Sequence, residues 1–159
     1  MSKNNDILLF TIFLYLLSRV IIFYIGISPD YKILENMWQV MDLNLLENDL
    51  FSSLYYIHYQ PPLWNFFIGL IVKIFGADYL IISRVIHYFN LMISVFSIII
   101  FFKLSEILKF SRFQILISSI LYLVLSLSYL FYENYLHYTH LTTLFFLLFI
   151  INYFRFVKE

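Results

Sequence analysis

Long apolar runs constrain this chain more than any other feature. Residues 7–27, 79–102, 113–131 and 141–156 are built mainly of Ile, Leu, Val, Phe, Tyr and Ser, with few charged interruptions. A helix rises 1.5 Å per residue, so crossing a hydrocarbon core of about 30 Å takes about 20 apolar residues. Composition points the same way: the chain is 62% hydrophobic and 13% charged, against roughly 25% charged in a soluble domain. Such a surface suits lipid better than a single water-excluded core. Only three glycines and three prolines occur, so turns are few and helices should dominate. The expected fold is an all-α membrane protein with about four transmembrane helices, one membrane domain over residues 1–159. A formal net charge of zero supplies no field for nucleic acid, which is therefore excluded as a partner. The lack of cysteine removes disulfides, thiolate metal sites and cysteine nucleophiles. The first run is not read as a cleaved leader, because it has no small-residue cleavage site and Arg19 interrupts it.

Charge sets the direction of these spans. With the N-terminus inside, the inner segments hold Lys3, Lys103, Lys109, Arg112, Arg155 and Lys158. The outer ones hold only Lys32 and Lys73 as cations, beside Asp30, Glu35, Asp42, Glu47, Asp49, Asp78 and Glu133. That partition satisfies the positive-inside rule with a cytoplasmic N-terminus. A further apolar run, residues 63–75, follows Pro61 and Pro62 and stops at Gly76. It reaches only about 20 Å as a helix. If it crossed the bilayer, the basic residues 103–112 would fall outside, so it is expected to lie along the outer interface. Residues 28–78 then form one long outer loop. Within it Leu34, Met37, Trp38, Met41 and Leu45 recur at helical spacing, with Glu35, Gln39 and Asp42 on another face. This predicts an amphipathic helix on the membrane with Trp38 at headgroup level. Tyr55, Tyr56, His58 and Tyr59 precede the two prolines, which stiffen the corner and push Gln60 into an extended conformation.

The residues able to carry chemistry gather on the outer side in this topology: Asp30, His58, Gln60, Arg84, Glu133 and His137. Asp30 follows the first span; its carboxylate can serve as a general base toward a hydroxyl or, in the plainer reading, cap the next helix. Arg84 lies about one turn into the second span. A guanidinium there suits phosphate; the plainer reading is snorkelling to the interface. Arg19 is deeper and is expected to pair inside the bundle. Glu133, His137 and His140 fall one turn apart on a helix, with donor types that suit a divalent metal. They match no closed zinc motif, and ordinary interfacial polar residues are the alternative. His58 serves either a ligand or its own loop, and His87 reads as a packing residue. No Gly-rich phosphate loop, serine nucleophile elbow or His-Glu-x-x-His helix is present.

The order of these features resembles the N-terminal portion of GT-C type membrane glycosyltransferases. The closest groups are the protein O-mannosyltransferases, the lipid A aminoarabinose transferases and related bacterial enzymes. In that family a span leads into a long outer loop opening with an acid. A Pro-Pro-Leu motif, a short helix and a span with an outer arginine follow. Here these are Asp30, Pro61-Pro62-Leu63, residues 63–75 and Arg84, and Glu133 matches a further acid after the third span. Trp38-Gln39 and the stretch from His58 through Asn65 look like the bacterial branch. The resemblance covers nearly the whole chain but only the opening part of a typical enzyme, so the chain reads as the first part of a larger polytopic protein. It departs from the pattern at Tyr31, where relatives often carry a second acid, and at Gln60, where the lipid A branch carries lysine. A neutral amide cannot neutralise phosphate, which leaves more of that task to Arg84.

The resemblance implies sugar transfer from a polyprenyl-phosphate carrier to an acceptor hydroxyl at the outer face, with inversion at the sugar carbon. Asp30 would be the catalytic base, Arg84 the phosphate partner, and His58, Gln60 and Glu133 substrate-positioning groups. Glu133 and His137 are the candidate ligands of a divalent metal. The implied partners are a polyprenyl-phosphate-linked sugar, membrane lipid and a glycan, lipid or protein acceptor, in a bacterial plasma membrane. The alternative is non-catalytic: a small membrane subunit or truncated remnant whose outer loop binds lipid or a partner protein.

Overall fold

The computed structural model describes residues 4–27, 29–57, 59–125 and 138–158. Their regular secondary structure is entirely helical. Three helices are long and apolar enough to cross a membrane: α1 (Asn5–Tyr24), α6 (Tyr79–Ile107) and α8 (Thr139–Lys158). They match the first, second and fourth expected spans. Of the third expected span, residues 113–125 lie in α7 (Arg112–Leu125), which is not among the helices long enough to cross a membrane, and residues 126–131 lie outside the described residues. Between α1 and α6 come α2 (Ile33–Asn36), α3 (Leu43–Asn48), α4 (Leu50–Tyr55) and α5 (Pro62–Phe75). The chain divides into two compact units, Met1–Ser28 with Asn90–Glu159, and Pro29–Phe89.

The first unit is organised at one end by Ile7, Phe102 and Ile115, with Leu8 and Leu116 packed around them. The start of α1, the end of α6 and the start of α7 therefore meet, so α1 and α7 run in the same direction and α6 runs opposite. An exposed ion pair between Arg112 and Asp6 joins the same ends, and Phe101 stacks on Tyr122 at 4.8 Å. The turn between α6 and α7 is specified chemically. Phe110 N–H donates to Ser105 C=O at 3.1 Å and Lys109 N–H to Glu106 C=O at 3.0 Å, with Lys109 left-handed at φ 59°. That is the bond pattern of a Schellman stop. Ser111 and Gln114 then cap each other's backbone N–H at 2.8 and 3.4 Å, a capping box that starts α7.

Polar side chains inside these apolar helices are largely satisfied by their own backbones. Thr11 donates to Ile7 C=O at 2.8 Å, Ser94 to Asn90 C=O at 3.0 Å, Ser105 to Phe101 C=O at 3.0 Å and Thr143 to Thr139 C=O at 2.9 Å. Each bond reaches back four residues, the local alternative available to a short hydroxyl in a helix. Arg19 is likewise held within α1: it donates to Ser18 Oγ at 2.9 Å and lies 4.3 Å from the Tyr15 ring centroid.

The second unit is built on α5. Trp64, Asn65, Ile68, Gly69, Ile71 and Val72 form its buried face, recurring at the 3.6-residue period. Leu43 and Leu46 of α3 and Leu50 of α4 are the buried residues of the helices that pack against it. A side chain at Gly69 would run into Leu50 Cδ1, so glycine there lets α4 approach closely. Asp42 and Asp49 cap α3 and α4: Asp42 Oδ1 accepts from Asn44 N–H at 2.8 Å, and Asp49 Oδ1 from Ser52 N–H at 3.3 Å.

The apolar spacing from Leu34 to Leu45 predicted a continuous amphipathic helix. Instead α2 stops at Asn36, Met37 turns extended (φ −81°, ψ 106°), and α3 restarts after Asp42. The cause lies in α5. Asn65 is fully buried; its Oδ1 accepts from Met41 N–H at 2.7 Å and its Nδ2 donates to Gln39 C=O at 2.9 Å. These bonds take the groups that a continuous helix would have paired within itself.

Candidate functional site

The site begins at the first turns of α6. Gly76, at φ 82°, ends α5, and Asp78 starts α6 by accepting from Leu80 N–H at 2.8 Å and Ile81 N–H at 3.0 Å. Ser83, Arg84 and His87 follow on the next turns. Ser83 is fully buried, whereas Arg84 is exposed.

The segment after α1 docks here. Asp30 Oδ1 accepts from Lys32 N–H at 3.0 Å, and Asp30 C=O accepts from Ile33 N–H at 3.3 Å, forming the turn that leads into α2. Tyr31, the next residue, is held against α6 in several ways. Its C=O accepts from Ser83 Oγ at 2.8 Å across a sequence separation of 52 residues. Its ring meets His87 edge to face, centroids 6.0 Å apart at 81°. The Arg84 guanidinium carbon lies 5.8 Å from the same ring. Burial pushes the Tyr31 phenol above its ordinary range and the Tyr88 phenol adds to this, while Arg84 pulls the other way.

Two expected site residues, Asp30 and Arg84, are thus brought to one place through Tyr31, although no ion pair joins them. Among the described residues Arg84 has no carboxylate within ion-pairing distance; its ring contact leaves the guanidinium donors available to an anion. The Asp30 carboxylate is exposed and uses one oxygen in a turn to Lys32 N–H; the N-cap of α2 is Lys32, with no side-chain capping bond, so Asp30 does not cap that helix. His87, read from sequence as a packing residue, packs on Tyr31 and lies 5.7 Å from the Tyr88 ring.

Gln60 stands apart. It is half-buried at the residue before Pro61 and makes no hydrogen bond to Asp30 or Arg84 among the described residues. The first turns of α5 instead carry an aromatic ladder: Trp64 stacks on Phe67 at 5.7 Å, and Phe67 meets Phe89 of α6 at 4.5 Å. His58, Glu133 and His137 lie outside the described residues. His140 is buried at the start of α8. Among the described residues no group of three His, Asp or Glu side chains is placed to hold a metal.

Sequence reasoning missed Ser83, Tyr31 and Asn65. Asn65 carried a usable signal, being an amide inside the apolar run 63–75 that the helical period puts with the buried positions. Ser83 carried none, because serine is common in these helices.

The chain matches no family model, no curated protein and no solved structure.

Proposed function

We propose that this chain forms the outer-face catalytic region of a membrane glycosyltransferase that takes a sugar from a polyprenyl-phosphate carrier. The observation that carries this reading is the docking of Asp30–Tyr31 onto α6 beside Arg84. Transfer to a hydroxyl needs a base for the acceptor and positive charge where the phosphate leaves. Asp30 is an exposed carboxylate and Arg84 an exposed cation without a carboxylate partner among the described residues. The surrounding Tyr31, His87 and Tyr88 offer aromatic faces and polar edges to a sugar.

In this reading α1, α6 and α8 are spans. Lys103, Lys109 and Arg112 face the cytoplasm, residues 28–78 form the outer loop, and Arg84 lies near the outer end of its span. His58, Gln60 and Glu133 contribute to substrate placement, and Glu133 with His137 to any divalent metal.

A second reading, a non-catalytic lipid- or partner-binding subunit, draws support from one fact: the Asp30 carboxylate already serves its local turn. Asp30→Asn separates the two. An asparagine oxygen keeps the same turn bond but cannot take a proton. In proteoliposomes supplied with a polyprenyl-phosphate-linked hexose and an acceptor, Asp30→Asn should lower turnover by about 10²–10⁴-fold. Full transfer by that variant would remove Asp30 as the base.

A further inference from the structure

We propose that the Ser83 hydroxyl and the Tyr31 carbonyl form a positioning latch that sets the catalytic carboxylate of Asp30 in register with the Arg84 guanidinium. The inference rests on the glycosyltransferase reading above and assigns a role to residues outside its reacting groups.

Thr11, Ser94, Ser105 and Thr143 all donate to the carbonyl four residues back in their own helices. That bond is local and serves only to satisfy the hydroxyl. Ser83 is as deeply buried as any of them, fully excluded from solvent. It nevertheless leaves its helix and donates to Tyr31 C=O at 2.8 Å, 52 residues away in sequence. The choice of partner turns a self-satisfying serine into a tertiary tie.

The tie sits where register matters. Ser83 immediately precedes Arg84, and Tyr31 immediately follows Asp30. Neighbouring Cα atoms are 3.8 Å apart, so fixing the 83–31 pair fixes the two functional residues to within one residue on either side. The Tyr31 ring, edge-on to His87 at 6.0 Å and 5.8 Å from the Arg84 guanidinium carbon, resists rotation about that single bond. Asp30 contributes its own turn through Lys32 N–H, which orients the carboxylate locally but does not tie it to α6. The latch supplies that link. Misplacement of a catalytic group by about 1 Å can cost about 10²-fold in rate, whereas binding of a lipid-linked donor through Arg84 needs no such precision from Asp30.

The test uses the reconstituted protein and two readouts. The natural chain contains no cysteine, so nitroxides can be placed cleanly at Lys32→Cys and Ile81→Cys, both exposed positions. The parent should give one narrow inter-label distance, Ser83→Ala a broadened one, and Ser83→Thr, which keeps the hydroxyl, a narrow one again. With a polyprenyl-phosphate-linked hexose as donor, Ser83→Ala should lower kcat by about 10–100-fold while donor KM changes less than about 2-fold, and Ser83→Thr should recover most of the rate. A narrow distance in Ser83→Ala, or an unchanged kcat in an active protein, overturns the latch. A loss expressed in KM alone also overturns it, since that would assign Ser83 to donor binding. Full transfer by Asp30→Asn is a different failure: it removes the base, and with it the catalytic purpose of the tie, whatever the distance measurement shows.

Discussion

Asn65 shows how much a single side chain can decide in a chain this apolar. Its amide bridges two strange neighbours, the backbone of residues 39–41 and the carbonyl of Pro61, which accepts from Nδ2 at 3.1 Å. A buried amide is costly unless its hydrogen bonds are met, and here Met41 N–H and Gln39 C=O are met by the same group that they satisfy. Removing it leaves both backbone groups to find water or stay unpaired. Asn65→Ala should therefore destabilise the unit Pro29–Phe89 by about 2–4 kcal/mol, from lost bonds and stranded partners together. The measurement is amide hydrogen exchange in detergent or nanodiscs, where the Met41 amide should lose protection before the α1 amides do. Unchanged protection at Met41 would mean that the non-helical segment 37–42 holds itself, without α5.

Among the elements, α5 was the most legible in the sequence and the α2–α3 stretch the least. Pro61 and Pro62 open α5 and Gly76 closes it, and these are local rules: proline fits the first helical turn and glycine the left-handed stop. The expected run 63–75 is accordingly the observed helix Pro62–Phe75. Apolar spacing alone could not distinguish one helix over 34–45 from two short pieces, because the break is imposed by Asn65 from another element. The site divides in the same way. Asp30 and Arg84 were legible by residue type and by their places at helix ends. The bond that joins their neighbours was not, since a serine in an apolar helix ordinarily bonds backward. α5 also carries a second apolar stripe that nothing in its own unit covers: Leu63 is 79% exposed, Leu70 44% and Ile74 74%. Only Gly76, Ala77 and Asp78 separate α5 from α6, so if α6 spans the bilayer, α5 is tethered at its surface. This predicts that a nitroxide at Ile74→Cys is relaxed more strongly by dissolved oxygen, which concentrates in lipid, than by a water-soluble nickel chelate. A label at the exposed Asn48→Cys should show the opposite order. Nickel dominance at Ile74 would instead put the stripe in water or under a protein partner.

At the scale of the whole molecule, the proposed bilayer position can be argued from α6. The helix has 29 residues, about 43 Å at 1.5 Å per residue, longer than a hydrocarbon core of about 30 Å. Its charges mark which part belongs in lipid. Residues 85–102 carry none and span about 27 Å, bracketed by Arg84 on one side and Lys103 on the other. Arginine and lysine prefer to end at headgroup level, so if α6 crosses the bilayer, Arg84 would lie near one headgroup layer and Lys103 near the other. Lys103 shares its end of the first unit with Lys109 in the Schellman turn and with Arg112, paired to Asp6. On the reading proposed above, the positive-inside rule would put this basic end in the cytoplasm and leave Arg84, Tyr31 and Asp30 on the outer face, where that reading has its lipid-linked donor. In the cysteine-free background, Asn48→Cys should react with a membrane-impermeant maleimide on intact cells, and Lys109→Cys only after the membrane is opened. The reverse pattern would turn the candidate site toward the cytoplasm. Soluble nucleotide sugars would then become the available donors, and because the chain carries no Gly-rich phosphate loop, the non-catalytic reading would be the stronger one.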